Sequence, residues 1–201
     1  MNADRIFLEG KKNALAKLKK ANNENKVDPG ILSILNVINK SKNYYTSSSC
    51  YGRIALLEIP SIGDKKEAKF LGKWHRTINV NELLTASKNA KTGQLWFLSQ
   101  SPIIHIIAKT NNLADELLKT AIAFGFKNSG LKSLGKKIVV EICSTERLDA
   151  PIGKDKILFC NKDHLELLVN ISNEIMNKSI KKLQKLEEKL RKNLNTHKTT
   201  K

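Results

Sequence analysis

The sequence predicts an α+β fold, with a mixed, largely antiparallel sheet, flanking helices and a long C-terminal helix, and not a doubly wound Rossmann domain. Two observations carry this. Segments of helical and strand periodicity do not alternate regularly along the chain, as a parallel sheet with crossover helices requires. No GxGxxG follows a predicted strand and no GxxxxGK(S/T) loop occurs, so neither nucleotide-binding fingerprint of the α/β folds is present. At 201 residues the chain is long enough for a real core. Residues 1–201 read as a single compact domain, with the basic end of the C-terminal helix, about 178–201, expected to project.

Asp4 to about Ala21 is Lys-rich, with Ile6, Leu8, Leu15 and Leu18 as the apolar minority of an amphipathic helix. After the polar NNENK, Asp28-Pro29 supplies an acidic N-cap and a proline at the first helical position. Ile31, Ile34, Leu35 and Ile38 then form a buried stripe. This helix ends near Lys40 and delivers the chain into YYTSSSCYGR, residues 44–53, whose serines and glycine read as a turn. RIALLEI is a strand closed by Pro60-Ser61-Ile62-Gly63, and Lys69 to Ile78 is a second, carrying Trp74 and His75.

Asn79 to Ala90 is a short helix. QLWFLS and PIIHIIAK are strands separated by Gln100-Ser101-Pro102, and their proximity predicts antiparallel pairing. Asn111 or Asn112 caps a helix with Leu113, Leu117, Leu118, Ala121 and Ile122 on one face, ended by Gly125. GKKIVVEICS and KILFC give two more strands, the first with a run, Ile138-Val139-Val140, suited to cover on both faces. From Asp163 about thirty residues are helical, with Leu168, Ile171, Ile175, Met176, Ile180, Leu183, Leu190 and Leu194 as the stripe.

Composition points to a polyanionic partner. Thirty-six Lys and Arg against 19 Asp and Glu give a formal charge of +17, more than solubility requires, and nucleic acid is the first candidate. The heaviest block, Lys178 to Lys201, sets nine basic residues against two glutamates and reads as a solvated helix face, a phosphate-gripping surface, or both. No apolar run has the length of a spanning helix and no hydrophobic leader opens the chain, so no membrane is expected and the cytoplasm is the expected location. Cys50, Cys143 and Cys160 are too scattered for a disulfide framework or a metal cluster. His75, His105, His164 and His197 lack ligand spacing, so no metal is expected.

Several side chains carry chemistry. Ser47, Ser48, Ser49, Gly52 and Arg53 offer amides, hydroxyls and a guanidinium that suit an anion, or else a polar connection with Arg53 in a surface pair. Cys50 is either a nucleophile or a small buried hydrophobe, and a hydrolase centred on Ser49 or Cys50 is a third functional reading. Trp74-His75-Arg76 combines a stacking ring with charge, although the indole also suits a core. His105, among isoleucines, is a core histidine or a base. Ser129 and Gly130 fit a close backbone approach to a ligand, or a simple loop.

Taken in order, YYTSSSCYGRI, GKWHR, SPIIHI, AFGFKNSGL and EICSTERLDAPI resemble the wybutosine-synthesis methyltransferase family, whose members methylate N4 of the tricyclic base beside the anticodon of phenylalanine tRNA. The resemblance spans about residues 5–190 and is strongest at the Ser-Ser-Cys-x-Gly-Arg block. The family usually carries serine where this chain has Tyr51, so that side chain is given no ligand role. The resemblance implies S-adenosyl-L-methionine as cofactor, bound outside a Rossmann fold, and tRNA(Phe) as partner, with no DNA. For such a reaction the dense donors of Ser47 to Ser49 with Arg53 are expected to grip the methionine carboxylate or a tRNA phosphate, Trp74 to stack, and His75 or His105 to accept the proton lost from nitrogen. The competing reading is a noncatalytic protein that binds structured RNA, which has no reason to retain the cofactor.

Overall fold

The computed structural model describes residues 3–64 and 66–196. The chain divides into two compact units: Met1–Tyr51, Pro102–Thr145 and Ile180–Lys201 form the first, and Gly52–Ser101 with Glu146–Ser179 the second. Every strand pair in both is antiparallel. The α+β class therefore holds, with two sheets and a 35-residue C-terminal helix. No helix of the described residues is long and apolar enough to cross a membrane.

The first unit contains α1 (Ala3–Asn23), a short 3-10 turn at Pro29–Ile31, α2 (Leu32–Lys40), β1 (Tyr44–Cys50), β5 (Ile103–Ala108), α4 (Asn111–Ala123), β6 (Gly130–Leu134) and β7 (Ile138–Cys143). Its strands run in the order β1-β5-β7-β6. Alternation in β5 and β7 sends Ile104, Ile106, Ala108, Val140 and Ile142 into one core, where they meet the stripe of α2, Ala114, Leu117 and Ala121 of α4, and Leu183, Leu186 and Leu190 of the C-terminal helix. The opposite face carries Tyr45, Ile107 and Val139 against Phe7 of α1, with the Phe7 and Tyr45 rings edge to face at 5.1 Å.

The second unit contains β2 (Arg53–Ile59), β3 (Lys69–Trp74), α3 (Val80–Ser87), β4 (Gln94–Gln100), β8 (Arg147–Lys154), β9 (Ile157–Leu158) and the beginning of α5 (Lys162–Thr196). The strand order is β3-β2-β4-β8-β9. Ile54, Leu56, Leu95, Phe97, Ser99 and Ile152 are buried on one face, where Ser99 Oγ donates to the Ser172 carbonyl of α5 at 3.4 Å. Asn79 closes a reciprocal cap on α3: it accepts from Glu82 N at 3.1 Å, and its own N–H donates to the Glu82 carboxylate at 3.0 Å.

Several local expectations change. The serine-rich segment is a strand, not a turn, because Tyr45 and Thr46 are buried and anchor it while the hydroxyls face outward. QLWFLS and PIIHIIAK do not pair: β4 pairs with β2 and β8, whereas β5 pairs with β1 and β7. Pro102 and the buried Ser101 lie where the chain leaves one sheet for the other. The strand begun at Lys69 stops at Trp74 and not at Ile78, while the helix expected from Asn79 forms as α3. KILFC yields only Ile157–Leu158, while β6 and β8 form in segments to which no strand was assigned. Thr110 caps α4, accepting from Leu113 N. Asp28 does not cap its helix with its side chain but accepts from Tyr51 N at 3.0 Å. Tyr51 lies over Gly30, where a Cβ would collide with the ring.

The C-terminal helix buries Leu165, Leu168, Val169, Ser172, Met176, Ser179, Leu183, Leu186 and Leu190, and Ile171 of the expected stripe is exposed. Its basic end is therefore anchored through Leu190 and does not project from residue 178. The expectations for the Leu194 side chain, for His197 and for the last lysines fall outside the described residues.

Candidate functional site

The polar part of the site in the first unit is created by one irregularity in β1. Tyr45 lies opposite Ile107 and Thr46 opposite Ile106, but the register then slips, so that Ser48 and not Ser47 faces His105. A bulge of this kind turns the next side chain onto the other face of the sheet. Ser48 Oγ is consequently 2.7 Å from His105 Nδ1. Across the next strand pair His105 lies opposite Glu141, and Nε2 is 2.7 Å from Glu141 Oε2. Lys132 Nζ meets the other carboxylate oxygen at 2.7 Å. A single row of side chains thus runs serine, imidazole, carboxylate and ammonium across four strands.

The hydrogen-bond inventory fixes the tautomer. An ionised Glu141 only accepts, so Nε2–H donates to it, and the bare Nδ1 of neutral His105 accepts from the Ser48 hydroxyl. Both ring nitrogens are then engaged. Exposure rises outward along the row, from 16% for the Glu141 side chain to 32% for His105 and 55% for Lys132. Burial pushes the Glu141 carboxyl up, but hydrogen bonds from Lys132 and His105 outweigh it and hold the group below its usual 4.5. The Glu141 hydrogen bond in turn raises the Lys132 ammonium.

This has a stability consequence. A carboxyl whose folded value lies below its unfolded one stabilises the fold above the unfolded value, and that contribution disappears as pH falls through the folded value. Wild type is expected to lose urea resistance as the pH drops below about 4.5, more steeply than Glu141→Gln does. Parallel acid titrations of the urea midpoint would contradict this assignment.

The other sequence candidates occupy distinct settings. Ser47 and Ser49 are exposed on β1. Ser129 is tied to backbone: its hydroxyl donates to the Phe126 carbonyl at 2.6 Å and accepts from Cys143 N at 3.1 Å, fastening the chain after α4 to the end of β7. Gly130 lies opposite Glu141 with open space where a Cβ would stand, so no close approach demands glycine there. In the second unit Gly52 adopts φ 92°, a conformation that favours glycine, and its carbonyl accepts from His75 Nδ1 at 2.8 Å. Arg53 Nε donates to Gln100 Oε1 at 2.7 Å, and its guanidinium lies 5.2 Å from the Phe70 ring centre. Trp74 covers Gly72, where a Cβ would collide with the indole, and borders a cleft of about 510 Å³ with Leu71, Asn79, Asn81, Thr85 and Asn89. Glu82 borders it too, paired with Arg76 at 2.6 Å.

Sequence reasoning missed Glu141 and Lys132. The available signal was a lone carboxylate in the apolar strand IVVEIC, matching the lone imidazole in IIHIIA.

Comparison with known proteins agrees with this architecture. Residues 9–192 match the family model described as Methyltransferase TYW3. The chain is 46% identical over 183 residues to the tRNA(Phe) 7-((3-amino-3-carboxypropyl)-4-demethylwyosine(37)-N(4))-methyltransferase of Thermococcus sibiricus, covering 90% of this chain and 93% of that one. It is 45% identical over 185 residues to methyltransferase 1 of the same description from Pyrococcus horikoshii, covering 92% and 94%. The solved structure of PH1069 protein from Pyrococcus horikoshii superposes with a TM-score of 0.90 at 44% identity, over 94% of this chain and 98% of that one. Agreement in sequence and fold over nearly the whole length means that this chain belongs to the Methyltransferase TYW3 family.

Proposed function

We propose that this protein is an S-adenosyl-L-methionine-dependent methyltransferase acting on N4 of the 4-demethylwyosine-type tricyclic base beside the anticodon of cytoplasmic tRNA(Phe). The observation that carries the chemistry is the Ser48-His105-Glu141-Lys132 row, in a chain whose relatives bear this activity in their names. Methylation of a ring nitrogen that carries hydrogen must dispose of a proton. Ser48 Oγ accepts that proton as its own passes to His105 Nδ1, and Glu141 stabilises the resulting imidazolium through Nε2–H. Lys132 keeps Glu141 ionised and fixes its orientation. The row thus has the polarity of a serine-histidine-carboxylate triad, used here to move a proton away from nitrogen.

S-Adenosyl-L-methionine supplies an electrophilic methyl group on its sulfonium. The residues present suit such a ligand: the Trp74 cleft offers an indole with amide and hydroxyl side chains fit for an adenine and a ribose. In the second unit Arg53, on the sheet face opposite Trp74, and in the first unit the exposed hydroxyls of Ser47 and Ser49, are each by themselves donors fit for a carboxylate or a tRNA phosphate. Positioning of the two reactants supplies most of the acceleration. Removal of a charge-assisted donor costs roughly tenfold or more in binding. Arg53→Ala is therefore expected to raise the apparent KM for either the cofactor or tRNA by about tenfold. Unchanged KM values for both would remove Arg53 from the site.

The deciding experiment follows label from methyl-labelled cofactor into tRNA(Phe) bearing the demethylated tricycle, with fully modified tRNA as control. Transfer to the hypomodified tRNA alone establishes the reaction. Binding of tRNA with neither transfer nor cofactor retention overturns it.

A further inference from the structure

The sheet of the second unit meets its helices through one face. Ser99 reaches Ser172 of α5 from that face, and Trp74, opposite Ile54 on the same face, borders the α3 cleft. The register places a different set on the reverse face. Phe70, Leu57, Trp96 and Pro151 form one row across four strands. Arg53, Lys73, Arg147 and Lys154 surround that row; Arg147 is paired with Asp149, and Lys154 lies 4.0 Å from the Asp155 carboxylate.

Several features make this face a platform for stackable anions. Phe70 is 48% exposed on the outermost strand, although a lone edge phenylalanine gains nothing from water contact. Arg53 and Lys73 lie over its ring, 5.2 and 5.7 Å from the ring centre, so a base that stacks on Phe70 takes the place of a cation, which is then free to meet a phosphate. Trp96 is half-buried, and its Nε1–H donates to Gln94 Oε1 at 2.9 Å, which fixes the indole in place. With one strand between them, Phe70 and Trp96 spring from strands about 10 Å apart. An antiparallel sheet bearing aromatics and cations on its open face is a recurring solution for unpaired nucleotides, whose bases stack while their phosphates meet the cations.

We propose that this face binds an unpaired stretch of RNA, with bases on Phe70 and Trp96 and phosphates on Lys73 and Lys154. The choice of RNA rests on the proposed function, while the demand for a stackable polyanion rests on the face itself. A protein partner would meet an excess of positive charge around the apolar row, and double-stranded RNA would hide its bases from both rings.

The test uses the full chain with a labelled, unstructured 12-nucleotide RNA and a 12-base-pair RNA duplex. Wild type is expected to prefer the single strand. Phe70→Ala and Trp96→Ala should each weaken it about tenfold. Lys73→Ala should lower the slope of log Kd against log salt by about one. Circular dichroism melts confirm that each variant is folded, and Phe70 and Lys73 are exposed enough that at least these two will be. Unchanged single-strand affinity in the folded Phe70→Ala and Lys73→Ala variants overturns the proposal, as does equal affinity of wild type for strand and duplex. Loss of strand binding in these variants, without methyl transfer by wild type, would sustain this inference and sink the proposed reaction. Transfer with unaltered strand binding would do the reverse.

Discussion

His105→Ala is expected to slow methyl transfer in single turnover by about 10²- to 10⁴-fold, the range of a lost general base, while tRNA affinity stays within a few-fold of wild type. The effect falls on the chemical step because the imidazole holds Ser48 on one side and Glu141 on the other, and neither neighbour accepts the proton alone. Ser48→Ala should follow in the same direction by a smaller factor, since water can enter between substrate and Nδ1. Ser48→Ala with His105→Ala together should be no slower than His105→Ala alone, because members of one relay are not additive. Glu141→Gln keeps the shape but removes the charge that stabilises imidazolium, and Lys132→Ala loosens the carboxylate from its outer side. Both should reduce kcat with little change in KM.

His75 is the comparison that makes this assignment specific. It was an equal candidate in the sequence, but its Nδ1–H is committed to the Gly52 carbonyl, beside a glycine at positive φ. That bond ties the end of β3 to the start of β2. His75→Ala is expected to retain the chemical step. Full rates for both histidine variants across pH 5–9 would exclude histidine as the base and leave water as the acceptor.

What the sequence disclosed and what it withheld follow from the range of the interactions. Local signals worked: the helix start at Asn79, the helix end at Gly125 and the stripe of α2 are each written within a few residues. The identity of His105 as an oddity among isoleucines was visible too. Its partners were not, because Ser48 lies 57 residues before it and Glu141 36 residues after it, and only strand register brings them together. The bulge that selects Ser48 over Ser47 has no local signature in three consecutive serines. Pairing of β4 with β5 was the natural expectation from proximity. It failed because both strands are apolar enough to be central in separate sheets, each already flanked by two partners.

The C-terminal helix shows the same limit in one element, and Leu186→Ala tests it. The variant is expected to lose about 2–5 kcal/mol of stability, read from far-UV urea unfolding, because a fully buried leucine leaves both lost transfer energy and a cavity. A helix end projecting into solvent would change by about 0.5 kcal/mol or less at the same position. Charge density suggested projection, since lysines dominate this stretch and the apolar residues are few. Those few suffice: Leu183, Leu186 and Leu190 recur at helical spacing and enter the core of the first unit. Ser33 adds a polar fastening, donating to Glu187 at 2.6 Å while Arg191 donates to Ser33 at 3.0 Å. Earlier along the helix the stripe passes through the buried Ser172 and Ser179, which a search for apolar residues alone skips. The exposed Lys181, Lys185 and Lys189 thus stand on the outer side of an anchored helix, where their positions are fixed before any polyanion arrives. A small effect of Leu186→Ala would return these lysines to a loose arm and remove that preorganisation.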